Sequence, residues 1–266
     1  MKDGSFLRNT AEASEWRGSL NPVSWAEKGQ DVLGEAERLE ALQAELESLA
    51  YAISHDLRAS ARRVYAFSEL LRAPRSQEEG EELMLGLQQA SSELSRDMDA
   101  MLTYSRLGRV ELLKEPVQLG EVTEAVLAKY LPVIETLGIR VRLTALPAIH
   151  TDVPMLRRLI DILVDNALKA MSRQAGGELW IRGGHRRDGV SLEVMDTGIG
   201  FEPDMAPQLF RMFRRLHTPQ EFPVGSGCGL AFARRICQRL GGTIHAFGAP
   251  GQGAHFRLWL PAQPGL

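Results

Sequence analysis

The chain has 266 residues, 44% hydrophobic and 24% charged, the make-up of an ordinary globular protein of one or two domains. A formal net charge of −3 without a Lys/Arg-rich block gives no reason to expect nucleic acid, and no charge-free run approaches the ~18 apolar residues that argue for a membrane span. The only two cysteines, Cys228 and Cys237, have no second thiol or histidine at metal-ligand spacing, which argues against a disulfide framework or zinc site and for a reducing, cytoplasmic setting.

Residues 1–32 are polar, lack sustained periodicity, and read as a flexible segment or the remnant of a sensor linker. From Asp31 onward Leu39, Leu42, Leu46, Leu49, Ile53, Leu57, Val64, Phe67 and Leu71 recur at the three-and-four spacing of a helix buried along one face. Pro74 and Ser76 interrupt the pattern, and a second stripe follows at Leu83, Leu87, Ala90, Leu94, Met98 and Met101. One hairpin cannot enclose such a seam by itself, so two chains are expected to pair into a four-helix bundle, a homodimer. The expected boundaries are 33–108 for the hairpin, 109–116 for a linker and 117–262 for a second domain.

In that second domain the patterns predict a helix from Leu119 to Leu137, a strand from Ile139 to Leu143 and a helix from Pro154 to Ser172. Strands are predicted from Glu178 to Gly183 and from Ser191 to Met195. A helix from near Gly229 to Gly241-Gly242 and strands at Thr243 to Phe247 and His255 to Leu260 close the chain. The fold class is α+β, a long helical hairpin followed by a sheet covered on one face by helices.

Five patches carry chemistry. His55 lies roughly 200° around the helix from Ile53, away from the buried stripe, so another molecule can reach it. Its neighbour Asp56 can take a proton from one ring nitrogen while the other attacks, which suits a phosphoacceptor. Asn166 and Lys169 share a helix face opposite Leu156, Ile160, Leu163 and Ala167; an Asn oxygen can ligate Mg²⁺ and an ammonium can meet phosphate. Asp196-Thr197-Gly198-Ile199-Gly200 ends a strand with a carboxylate able to accept from an exocyclic amino group such as adenine's.

Gly225-Ser226-Gly227-Cys228-Gly229-Leu230 leads into a helix whose first N–H groups can meet phosphate oxygens, and its spacing fits neither the dinucleotide fingerprint nor the Walker pattern. Cys228 is expected near solvent at that helix start, where a thiolate is favoured. Between these patches, Phe210, Phe213 and Leu216 alternate with Arg211, Arg214 and Arg215, a piece able to serve as a lid.

In this order and spacing the patches resemble the sensor histidine kinases of two-component systems, from about residue 35 to residue 262. Ser54-His55-Asp56-Leu57-Arg58 resembles their phosphoacceptor box, Asp165-Asn166-Ala167-Leu168-Lys169 their Asn box, and Asp196 to Gly200 their first Gly box. Leu209 to His217 resembles their Phe box and Gly225 to Leu230 their second Gly box, with wording nearest the phytochrome-like branch. The resemblance implies a phosphotransfer hairpin followed by a Bergerat-type (GHKL) α/β-sandwich ATP-binding domain. It implies a histidine autokinase using ATP and Mg²⁺, with His55 and Asp56 catalytic and a response regulator receiver domain as partner.

By the same resemblance Asn166 would hold Mg²⁺, Lys169 phosphate or ribose, and Asp196 the adenine amino group. Gly198, Gly200, Gly225, Ser226, Gly227, Gly229 and Leu230 would shape the pocket, and Arg215 would reach the γ-phosphate. Input would come from a sensor module, separate or removed; neither nucleic acid nor membrane is expected as a partner. The alternative is a nucleotide-binding scaffold for a partner kinase or regulator. The chain departs from the pattern at Ser60, where many members carry a helix-bending Pro, and at Ala59, where strong phosphatases carry Thr or Asn. Ile162 replaces a polar residue, and Asp161 beside it is about 100° out of phase.

Overall fold

The computed structural model describes residues 57–173, 176–214, 216 and 227–262. The described residues divide into two compact units, one ending at residue 98 and the other beginning at residue 99. Among the described residues no helix is long and apolar enough to cross a membrane.

In the first unit, residues 57–70 form the described part of helix α1, and residues 71–76 turn the chain into α2 (Gln77–Leu107). The turn is set by Ser76, whose Oγ accepts from Glu79 N at 3.1 Å, while the Glu79 carboxylate accepts from Arg75 N at 2.6 Å. That reciprocal arrangement satisfies helix-start donors which would otherwise be orphaned. Ser60 is buried, and its hydroxyl donates to Asp97 Oδ2 at 3.0 Å across the hairpin, with Arg63 bonded to both Ser60 and Glu93. Burial raises the Asp97 acid above its ordinary value, against the opposing pull of the Ser60 bond. The apolar stripe is only partly covered: Ala90 is buried, Leu83, Leu87 and Leu94 are half-buried, and Met98 is 53% exposed.

The second unit is built on a five-stranded sheet ordered β2-β4-β5-β7-β6, comprising β2 (Ile139–Leu143), β4 (Gly177–Arg186), β5 (Gly189–Asp196), β6 (Thr243–Gly248) and β7 (Ala254–Pro261). β2 runs parallel to β4 and the other pairings are antiparallel. Three helices, α3 (Leu119–Leu137), α4 (Val153–Met171) and α5 (Gly229–Arg239), supply the facing layer. The core lies where Leu156, Leu159, Ile160 and Leu163 of α4 meet Leu179, Ile181, Leu192 and Leu258, all fully buried. This is the α/β sandwich the sequence led us to expect.

A second ladder, β1 (Lys114–Gln118) with β3 (Ala148–Asp152), is absent from the sequence reading, which placed a linker over 109–116. Its strands are five residues each and carry no sustained alternation. What fixes them is Asp152, which caps α4 through Met155 N at 2.9 Å and accepts from Leu113 N at 2.9 Å with its other oxygen.

The far face of the sheet carries a buried charge. Glu193 is 5% exposed, bonded to Arg182 at 2.8 Å and to His255 at 3.1 Å, with Arg257 3.5 Å away. Burial alone would raise its acid, but the hydrogen bonds from His255 and Arg182 and the Arg182 charge outweigh that and hold it at about 2. A carboxyl depressed in the fold stabilises above its unfolded value, and that stability is lost as pH falls from about 4.5 through about 2. Glu193→Gln is expected to lower stability at pH 7 by roughly 2–3 kcal/mol, with the difference from wild type closing by pH 2. Denaturant titration across that range checks it; an equal loss at every pH would mean the cost is one of packing.

Candidate functional site

The two functional patches of the second unit meet because β5 ends beside the C-terminal half of α4. Asp196 is the last residue of β5, and the Thr197 to Gly200 loop is tied to α4 by Ile199 N donating to Ala170 O at 3.2 Å. Gly198 is required there, since a Cβ would lie 2.6 Å from Ala170 Cβ. At Gly200, with φ of +64°, a Cβ would lie 1.9 Å from Ala249 O.

Asp196 is 3% exposed, and its Oδ1 accepts from Gly198 N at 2.9 Å and Ala254 N at 3.3 Å. Its Oδ2 is buried without a partner. Burial pushes the acid up to about 7, against the two N–H groups that favour the anion. An orphaned carboxylate oxygen at a buried position is costly unless a donor reaches it.

In front of this loop lies a cavity of about 430 Å³, within the range of small-molecule sites. Ile199, Phe201, Ala254 and Phe256 give it an apolar wall, and Asn166 and Lys169 of α4 a polar one. Gly227, Gly229 and Leu230 border it where α5 begins, so the first N–H groups of that helix lie at its edge. Asn166, Lys169, Gly200, Gly227, Gly229 and Leu230 are thus brought together; Asp196 and Gly198 do not line the cavity, although Asp196 is bonded to the lining residue Ala254. His55, Asp56, Arg215, Gly225 and Ser226 lie outside the described residues.

Several details differ from the sequence reading. The Lys169 ammonium is bonded to Asp165 at 2.6 Å, one helical turn away. Cys228 is fully buried, not near solvent, because as the residue capping α5 it turns inward while its carbonyl accepts from Phe232 N at 2.9 Å. The proposed lid segment keeps its two-sided character: Phe210 and Leu216 pack against the core, while Arg211 and Arg214 are exposed and Arg214 borders the cavity. Phe213 adopts a φ of 61°, a strained backbone for a bulky residue.

Lys129 and Tyr130 of α3 line the cavity and were not foreseen, since they sit in a plain amphipathic helix with no motif around them. Lys129 bonds both oxygens of Asp161, at 2.8 and 3.1 Å. The Tyr130 hydroxyl is pushed up to about 12 by burial and by the Asp165 charge. Ile162 lines the cavity as an apolar residue.

Residues 151–264 match the family described as histidine kinase-, DNA gyrase B-, and HSP90-like ATPase. The chain is 30% identical over 234 residues to cyanobacterial phytochrome B of Nostoc sp., covering 84% of this chain and 30% of that protein. It is 30% identical over 266 residues to the methanogenesis regulatory histidine kinase FilI of Methanothrix harundinacea, covering 97% of this chain and 28% of that one. The chain therefore spans less than a third of the length of these relatives. Among solved structures, full-length ShkA in complex with AMPPNP aligns with a TM-score of 0.54 at 25% identity, over 83% of this chain and 47% of that one. Taken with the strand-end carboxylate, the Asn-bearing helix and the glycine-flanked helix start around one cavity, these likenesses make the chain similar to sensor histidine kinases, with residues 151–264 matching the ATPase family that those kinases share with DNA gyrase B and HSP90.

Proposed function

We propose that the chain is an ATP-dependent histidine autokinase that phosphorylates His55 and passes the phosphoryl group to an aspartate of a response regulator receiver domain. The observation that carries the reading is Asp196 Oδ2, a buried acceptor without a partner behind an apolar-walled cavity. The amino group of adenine is the donor that would satisfy it, with the ring against Ile199 and Phe256. Asn166, Lys169 and the α5 start, where Gly227 and Gly229 let backbone approach, would take the phosphates, with Gly225, Ser226 and Arg215 beside them.

Asn166 offers an amide oxygen in the cavity wall, a donor suited to Mg²⁺, which would reduce the repulsion between phosphate charges when bound. In the transfer itself one imidazole nitrogen of His55 forms the bond to the terminal phosphorus as the bond to the departing ADP oxygen breaks. Asp56 takes the proton from the other nitrogen.

The exposed Met98 of the hairpin's apolar stripe, with Leu83, Leu87 and Leu94 only half-buried, supports a homodimer, in which a second copy covers the seam. We assign 33–108 to the phosphotransfer hairpin and the chain beyond it to a linker and the catalytic domain, which the β1–β3 ladder extends back to Lys114, working in the cytoplasm. Ala59 offers no hydroxyl or amide one turn after His55, which favours donation over regulator dephosphorylation.

Incubating the full chain with γ-labelled ATP and Mg²⁺ tests the reading through the fate of the label. Retention on protein is expected. Release as free phosphate would mean an ATPase, and binding without turnover would mean a nucleotide-binding scaffold.

A further inference from the structure

The cavity has a direction that can be read along α4. At one end Ala170 contacts the Asp196 to Gly200 loop, and in the middle stands Asn166. At the other end Ile162 faces the α5 start, where a side chain at Gly229 would meet Ile162 Cγ2 at 3.5 Å. The base end is therefore at Ala170 and the phosphate end at Ile162. Asp161 adjoins Ile162, nine residues and ~13 Å of helix from Ala170, so the Lys129–Asp161 pair stands where the phosphate tail of a bound nucleotide would finish.

Two carboxylates one turn apart, Asp161 and Asp165, border that half of the cavity, and each holds a lysine: Lys129 from α3 and Lys169 from α4. The Lys129 side chain is 60% exposed and its ammonium lies 4.8 Å from the centre of the Tyr130 ring. A solvated pair of this kind contributes little to stability. Its lysine stem is flexible and its ammonium a point charge, so exchanging a carboxylate for a more highly charged phosphate is favourable.

We propose that Lys129 is a binding residue for the terminal phosphoryl group of ATP, held on Asp161 while the site is empty and transferred to the phosphate when nucleotide binds. The proposal rests on the ATP-binding reading above. It makes Lys129 the element that separates ATP from ADP, because only the triphosphate extends as far as Asp161.

Calorimetric titration of the full chain with ATP, ADP and adenosine, each with Mg²⁺, tests it. Lys129→Met should weaken ATP binding ~10-fold, ADP less than about twofold, and adenosine not at all. Asp161→Asn releases the lysine and should tighten ATP binding about threefold; in a Lys129→Met background that gain should vanish. If Lys129 served only to pair with Asp161, the two single substitutions would act alike, which overturns the proposal. An equal loss for ATP and adenosine in Lys129→Met also overturns it, as does a gain from Asp161→Asn that survives the loss of the lysine. Wild-type protein that binds adenosine but shows no difference from Lys129→Met toward ATP rejects the role of Lys129 alone. Protein that binds neither rejects the ATP reading with it.

Discussion

Replacing His55 by alanine is expected to abolish incorporation of the terminal phosphate of ATP while leaving ATP affinity within about twofold of wild type. The split follows from where the two functions reside. Every described residue that lines the cavity falls between Lys129 and Phe256, whereas His55 is assigned to the hairpin and to the acceptor's role alone. An imidazole that receives a phosphoryl group forms a bond that survives base and is lost in acid, so the chemistry of the label is a second readout. Asp56→Asn should slow incorporation by ~10²-fold without abolishing it, the size of effect general-base assistance usually has. Acid-stable label persisting in His55→Ala would identify a hydroxyl acceptor and contradict the assignment.

Asp196→Asn should produce two effects of opposite sign. The wild-type carboxyl is raised by burial to about 7 from an ordinary 3.8, so the fold favours its neutral form. That contribution is fully present below about pH 4 and lost as pH rises through 7, leaving the ionised group to destabilise the empty protein at pH 8 by up to ~4 kcal/mol. The amide variant carries no such charge, but it places an unpaired N–H where Oδ2 was, at ~1–3 kcal/mol. The net expectation is a nucleotide-free variant about 1 kcal/mol more stable at pH 8.

Its binding should fail for the same reason. An amide N–H facing the adenine amino group replaces an acceptor with a donor, and affinity should fall ~10- to 100-fold. Wild-type affinity for adenosine, whose own charge does not change near neutrality, should weaken as pH drops below about 7, because binding requires the anion. The Asp196→Asn profile should be flat. Thermal unfolding with and without ligand separates the two effects; an unchanged ATP-induced shift in the variant would remove Asp196 from the site.

The parts of this molecule legible in the sequence are those whose signals are local and periodic. The 3.6-residue rhythm of Leu156, Ile160 and Leu163 and the left-handed Gly138, with φ of 64°, mark helix course and end within a residue or so. The β1–β3 ladder was not legible, because it pairs segments far apart in the chain, tied by the one long-range bond from Leu113 N to Asp152, and five-residue strands announce little by themselves. Glu193 shows the same limit from another side: a carboxylate inside a strand reads as solvent-facing, and only pairing with β4 and β7 supplies the Arg182 and His255 that allow its burial.

At the site, Asn166, Asp196 and the glycines could be read because each lies in a motif whose backbone demands are local. Lys129 could not, since its place at the cavity depends on how α3 packs on α4 and an exposed lysine on a helix has no distinguishing neighbour. Cys228 went the other way. Its flanking glycines suggested an open loop, but the residue that starts α5 is fully buried.

The central claim is that one cavity feeds a phosphoryl group to one histidine. It is tested most directly by treating the full chain with ATP and Mg²⁺, measuring its intact mass at neutral pH, and fragmenting the product under conditions that preserve phosphoramidates. The account predicts one phosphoryl adduct per chain, located on His55, removed by acid and strongly reduced in Asp196→Asn at an ATP concentration that just saturates the wild type. An adduct on any other residue, or an unmodified chain whose ATP is converted to ADP and free phosphate, would contradict it.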